Sequence, residues 1–426
     1  MLALDQLGQG YSEGGATTKG FGGPEGLDYL RRLPFVDRRN IGLEGHSMGG
    51  WAVLAAAAAM PGDYAAMVLE GSSVGAPFAR DGTPAWPRNV AVVFSRFDEF
   101  APLMWSVRRA ADVGKSVKLR ALFGAMGNVA ADRIYGSIAA GTARLLRTPT
   151  ATHPGDHLST VAVADAADWF SRTLVGGQAR DASDQIWWVK EAGTGLALLG
   201  LAALVFGTFD LLVGLTKLKP RAIAVDAATA VLGHRGTLWL LTAFIPAVTY
   251  YCALLVLPPP VAVFAMFPQA ITNWLMVWAI GNAAVALGLA KLLHRAPAAD
   301  FAPMPAVLPS LALAVGVIAV AYCVVSAAAV WNVDFRFWVV ALKPLSQPQL
   351  LSFCTYVVPF TIFIGVTFRG LKRILAPDRG STYRYVSAVG ALSLGFLALT
   401  GGQYVLLFAT GTLPLPFEAL NVIVAI

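Results

Sequence analysis

Ile41-Gly42-Leu43-Glu44-Gly45-His46-Ser47-Met48-Gly49-Gly50-Trp51 decides how the first half of this chain is read. Ile41–Glu44 reads as a strand. Trp51–Met60 is alanine-rich and reads as a helix, closed by Pro61-Gly62. Gly45-His46-Ser47-Met48-Gly49 therefore sits at a strand-to-helix turn, the context in which G-x-S-x-G presents a serine nucleophile. Small residues flank such a serine because the turn is tight and its backbone strained, and Gly50 adds room for close helix packing. The serine is held clear of the sheet at a helix N-terminus, and the N–H of Met48 faces the place where an oxyanion would develop. A glycine-rich turn without chemistry is the plainer alternative.

The flanking segments alternate. Met1–Asp5 is a short apolar run ending in an acid, and Leu7–Gly15 is a glycine-rich loop. Pro24 opens a helical stretch with Leu27, Leu30 and Leu33 on one face. Met67–Glu70 reads as a strand. Val90–Phe94 is a continuous apolar run, as buried parallel strands are. Ala101–Val113 reads as helical and Leu145–Pro149 as a weak strand. Val161–Leu174 reads as a helix, with Val161, Ala164, Trp169 and Phe170 available for packing. Strands alternating with helices predict a mostly parallel sheet with helices on both faces.

A nucleophilic serine needs a base, and the base needs an orienting acid. Ser95-Arg96-Phe97-Asp98-Glu99 follows the strand Val90–Phe94. An acid just past the C-terminal end of a parallel strand points into the crevice where such sheets bind ligands. Asp98 is the candidate acid, with Glu99 as the fallback. Thr152-His153-Pro154-Gly155-Asp156-His157 follows the weak strand. His153 leaves room for a loop before the final helix and is the candidate base, with His157 the alternative. The H-x-x-x-H spacing with Asp156 would suit a metal on a helix, but Pro154-Gly155 argues against a helix there. His46 is expected to pack or hydrogen-bond locally, and His234 and His294 lie in basic loops far from the serine.

With Ser47, Asp98 and His153 in that chain order, residues 1–175 resemble the α/β-hydrolase superfamily. Gly45–Gly50 is similar to that family's nucleophile elbow. Asp5-Gln6-Leu7-Gly8-Gln9-Gly10-Tyr11-Ser12 resembles the D-x-x-G-x-G-x-S loop after its fourth strand, and Val93–Asp98 resembles the strand and turn that deliver its acid. The resemblance implies a serine hydrolase that needs no cofactor or metal and acts on an ester, thioester or amide. Esterases, lipases, peptidases and thioesterases share these motifs, so the substrate is left as a small molecule, a lipid or a peptide. The family also carries three earlier strands and a loop with an oxyanion-hole donor. Met1 begins at what looks like the fourth strand, so the hydrolase-like domain reads as incomplete at its N-terminus.

Of the 426 residues, 56% are hydrophobic and 13% charged, against roughly 25% charged in average soluble domains. Residues 1–184 hold 18 basic and 18 acidic residues, whereas residues 185–426 hold 14 and 7. The excess positive charge lies between long apolar runs, as in membrane proteins, which excludes the nucleic-acid reading that a basic chain would otherwise invite. Cys252, Cys323 and Cys354 all fall inside these runs, so neither a disulfide framework nor a CxxC site is present. Spans long enough to cross a bilayer are expected near 192–216, 237–257, 271–290, 306–330, 350–368 and 385–409, with a seventh apolar stretch at 413–426. The loops on one side carry 11 Lys/Arg and those on the other carry 2. The positive-inside rule then puts residues 1–184 outside the cytoplasm. Trp187 and Trp188 read as an interfacial anchor, and Asp210, near the basic end of the first span, as an ion-pair partner of Lys217.

Two domains are expected: residues 1–184, α/β-hydrolase-like, and residues 185–426, an all-α polytopic bundle in the lipid bilayer. The function this favours is a membrane-anchored serine hydrolase. The competing reading is a membrane transporter, sensor or scaffold that keeps a hydrolase-like domain only for binding.

Overall fold

The computed structural model describes residues 1–15, 18–178, 180–216, 235–256, 267–293, 304–333, 335–337, 340–375 and 379–414. The chain divides into two compact units: Met1–Trp188 with Gln403–Ile423, and Val189–Gly402 with Val424–Ile426.

The first unit is built on a parallel sheet of four strands in the order β1-β2-β3-β4. These are β1 (Gly42–His46), β2 (Ala66–Glu70), β3 (Val90–Val93) and β4 (Arg144–Arg147). Every residue of β2 and β3 is buried, which is why Val90–Val93 is an unbroken apolar run and Ala66–Leu69 is apolar up to Glu70. The pleat sends alternate side chains to opposite faces. Met67, Leu69, Val90 and Val92 join one core with Trp51 and Leu54. Val68, Ala91, Val93 and Leu145 join the other with Ala162 and Trp169. The first face is covered by α1 (Gly23–Arg32) and α2 (Met48–Ala59), the second by α5 (Thr160–Thr173). Trp169 is fully buried and its Nε1 donates to the Asn89 carbonyl at 3.1 Å, so its one polar atom is satisfied.

The strands match the expected ones to within a residue or two, and Pro24 does stand in the first turn of α1. Three local expectations are corrected. Met1–Asp5 forms no strand: Asp5 holds the following turn instead, its Oδ2 accepting the Tyr11 N–H at 2.9 Å and its carbonyl the Ser12 hydroxyl at 2.8 Å. Ala101–Val113 is not one helix: α3 (Ala101–Trp105) stops at Ser106, which takes a left-handed φ of 54°, and a 3-10 turn follows at Ala110–Lys115. The helix α4 (Val117–Phe123) comes next, capped by Ser116, whose side chain accepts the Leu119 N–H. In α5, Val161 faces outward at 56% exposure, and Ala162 takes the core position expected for it.

The second unit holds long apolar helices: α6 (Trp187–Thr216) from Val189 on, α7 (Arg235–Val256), α8 (Ala270–Leu293), α9 (Met304–Val330), α10 (Gln347–Ile374) and α11 (Ser381–Thr410) up to Gly402. The short strands β5 (Phe335–Phe337) and β6 (Val340–Leu342) pair antiparallel between α9 and α10. Five helices, α6 and α8 to α11, are long and apolar enough to cross a membrane, which fits a multi-pass membrane protein. The expected span near 237–257 forms α7, whose 22 residues contain Pro246. Lys217, His234 and His294 lie outside the described residues, as does the expected apolar tail from residue 415 on.

Candidate active site

Ser47 stands between the last residue of β1 and the first of α2, with φ 54° and ψ −120°. A positive φ in a non-glycine residue is strained and persists only where its surroundings enforce it. Here Ser47 N–H donates to the Glu70 carbonyl at 2.9 Å, which ties the turn to the end of β2. A Cβ on Gly45 would lie 2.1 Å from the Gly49 carbonyl oxygen, so strand and helix can approach this closely only with glycine there. Met48 is the first residue of α2, a position whose N–H has no partner inside the helix.

Asp98 and His153 meet because the β3–β4 pairing continues past the strands proper. Arg96 N–H donates to the Pro149 carbonyl at 2.8 Å and Phe97 N–H to the Ala151 carbonyl at 3.0 Å. Phe97 and Thr152 form a parallel bridge, and the next residues on the two chains are Asp98 and His153. Asp98 Oδ2 lies 2.8 Å from His153 Nδ1, and Asp98 Oδ1 accepts the Phe100 N–H at 2.8 Å. Both residues are buried. Burial pulls the His153 imidazole down, but Asp98, with Glu99 and Asp156 beyond it, outweighs this and leaves its pKa raised.

Glu99, the fallback acid, holds the same histidine by its backbone: Oε2 accepts the His153 N–H at 2.7 Å. Its Oε1 accepts from the Tyr404 hydroxyl at 2.8 Å, in the C-terminal turns that belong to the first unit. Burial, and then the Asp98 charge, push the Glu99 carboxyl up to about 7.

His46, expected to act only locally, reaches 107 residues along the chain: its Nε2 donates to the His153 carbonyl at 3.0 Å. The same Nε2 lies 3.7 Å from Asp156. Asp156 is fully buried and accepts a short hydrogen bond from the Ser95 hydroxyl. Burial raises its pKa. Glu70, at the end of β2, is pushed up to about 9 by burial, then by Asp156 and Glu44. His153 is thus held through its backbone N–H, its carbonyl and its ring. Sequence reasoning passed over His46, Ser95 and Asp156 as parts of this site. The available signals were the histidine inside the elbow and the acid between two histidines.

His157 is placed differently. Its ring packs on His46 at 4.1 Å between centroids, and part of the residue reaches solvent. Packing, and then the neighbouring His46 and His153, lower its pKa. No carboxylate among the described residues holds its ring. Pro154–Leu158 forms a 3-10 turn, correcting the expectation that proline and glycine would exclude a helical segment there; proline is tolerated in a first turn. Ser47 lies at the same end of the parallel sheet as Asp98 and His153, without a hydrogen bond between Ser47 and His153 among the described residues. Catalytic hydrogen bonds are often long without substrate and tighten in the reacting complex. In comparisons with known proteins, the chain matches no family model, no curated protein and no solved structure.

Proposed function

We propose that the protein is a membrane-anchored serine hydrolase of the α/β-hydrolase type, cleaving an ester, thioester or amide. The observation that carries this reading is the buried Asp98–His153 pair at the same end of the parallel sheet as a serine held at positive φ in a strand-to-helix turn. With Nδ1–H donating to Asp98, His153 Nε2 is free to accept a proton. Ser47 Oγ attacks the carbonyl carbon and its proton passes to Nε2. The Met48 N–H helps stabilise the oxyanion. The proton then goes to the leaving group as the C–O, C–S or C–N bond breaks. Water, activated by the same imidazole, returns Ser47 and releases the acid. Asp98 keeps the tautomer and stabilises the imidazolium. This chemistry requires no cofactor.

Purified full-length chain should turn over short-chain aryl esters. His153 must be neutral to act as base, and its pKa is raised, so protonation disables it from a higher pH downward. The acid limb of kcat/KM is therefore expected above 6.5, the ordinary value for histidine. A limb below that value would remove His153 from the role.

The α/β unit is proposed to lie outside the cytoplasm, on the 11-to-2 distribution of Lys/Arg between the loops. In a background without native cysteines, a cysteine at Gly177 should react with an impermeant maleimide in intact cells, and one at Ser381 should not. The opposite pattern would reverse the orientation.

A further inference from the structure

One cavity has no part in this chemistry. Within the second unit, α7, α8, α10 and α11 enclose a cavity of about 430 Å³, within the range of small-molecule sites. Its wall is mostly hydrocarbon, including Leu241, Ile245, Ala286, Phe363 and Phe396. The polar groups on it already make hydrogen bonds within and between the helices. Thr242 Oγ1 donates to the Leu238 carbonyl at 2.8 Å, and Thr367 Oγ1 to the Phe363 carbonyl at 2.9 Å. Trp278 Nε1 donates to the Pro246 carbonyl at 3.0 Å. Asn282 Nδ2 donates to the Trp278 carbonyl at 2.9 Å, and its Oδ1 accepts from Thr249 at 2.8 Å. A bound water needs two to four polar partners, and the few polar groups on these walls each already give a hydrogen bond to the helices. The space suits an apolar occupant.

Shape and charge narrow that occupant. Val285, Ile364, Phe368 and Leu392 line the cavity and are themselves exposed, so it opens sideways on the apolar surface of the bundle. Along α8 the lining runs from Trp278 to Ala290, about 18 Å at 1.5 Å per residue. One leaflet of a hydrocarbon core about 30 Å thick has a similar depth. Two exposed cations border the lining: Lys291 directly follows Ala290, the last lining residue of α8, and Arg369 lies between the lining residues Phe368 and Gly370 of α10. None of the four helices carries an Asp or Glu. We propose that this cavity binds one acyl chain of an anionic lipid, with the headgroup at Lys291 and Arg369. The proposal does not depend on the hydrolase assignment.

Photolabelling tests it. Full-length protein is placed in phosphatidylcholine vesicles containing phosphatidylglycerol that carries a diazirine on one acyl chain. After irradiation, adducts should concentrate on α8 between Trp278 and Ala290 and on α10 between Phe363 and Ile374. They should be sparse on the exposed α9. Ala286→Trp, at an exposed part of the wall, should cut this labelling about tenfold by filling the space, and Ala283→Trp is a second filling variant. Lys291→Gln should lower labelling by the phosphatidylglycerol probe about fivefold, since one cation near the surface is worth about 1 kcal/mol to an anionic lipid. Labelling by a phosphatidylcholine probe should not change. Unlabelled phosphatidylglycerol should compete with the probe, and competition by palmitate alone would overturn the lipid in favour of a free acid. Equal labelling of α9, or labelling unmoved by both tryptophans, would overturn the site. Indifference to Lys291→Gln would overturn the anionic headgroup.

Discussion

Ser47→Ala is expected to lower ester turnover on the order of 10⁶-fold in kcat, the scale of loss when a serine hydrolase loses its nucleophile. The effect should fall on kcat and not on folding. Alanine meets the same φ of 54° that serine already tolerates, and the backbone bond from residue 47 to the Glu70 carbonyl is kept. An unchanged thermal transition in Ser47→Ala, together with lost turnover, is the expected result. Turnover near wild type in a folded variant would end the enzyme assignment.

Asp98→Asn is expected to cost on the order of 10⁴-fold in kcat, the loss seen when a triad acid becomes an amide and the imidazole takes the wrong tautomer. An asparagine NH₂ aimed at His153 Nδ1 would leave the proton on Nε2, where it blocks acceptance from Ser47. His153→Ala should resemble Ser47→Ala. His157→Ala should keep measurable turnover, because no carboxylate among the described residues orients His157 and its pKa is already lowered. Rates measured for all three variants at one pH decide the matter. A large loss in His157→Ala with a small one in His153→Ala would move the base to His157, against the geometry of the Asp98 pair.

The parts of this fold and site that were legible in the sequence are those fixed locally. Val90–Val93 and Ala66–Glu70 are buried on both faces, so their composition marks them without knowledge of their neighbours. Asp98 was legible because an acid stands one short turn beyond a buried strand, and His153 because it follows the next strand. Interactions that cross the chain were not. Ser95 and Asp156 are 61 residues apart, and His46 and His153 are 107 apart. The parallel pairing of β1, β2, β3 and β4 in that order brings those loops to one end of the sheet. The break after α3 was hidden for a similar reason. Ala101–Val113 has helix-forming composition, but Ser106 turns left-handed, and the Ser116 hydroxyl donates to the Trp105 carbonyl at 2.7 Å across that break. Met1–Asp5 failed in the other direction: an apolar run is a strand only when it pairs, and this one does not join the sheet at its β1 edge. The membrane helices were the easiest, because a bilayer imposes a length on apolar sequence whatever the helices pack against.

The proposed role of Ser47 as nucleophile is tested most directly by reacting the folded full-length protein with a fluorophosphonate and locating the adduct by peptide mass spectrometry. Only a serine activated by its neighbours reacts quickly with such a probe. A single adduct on Ser47, lost in His153→Ala and strongly reduced in Asp98→Asn, is the predicted result. No adduct on the folded protein, or an adduct on a different serine such as Ser72 or Ser73, would contradict it.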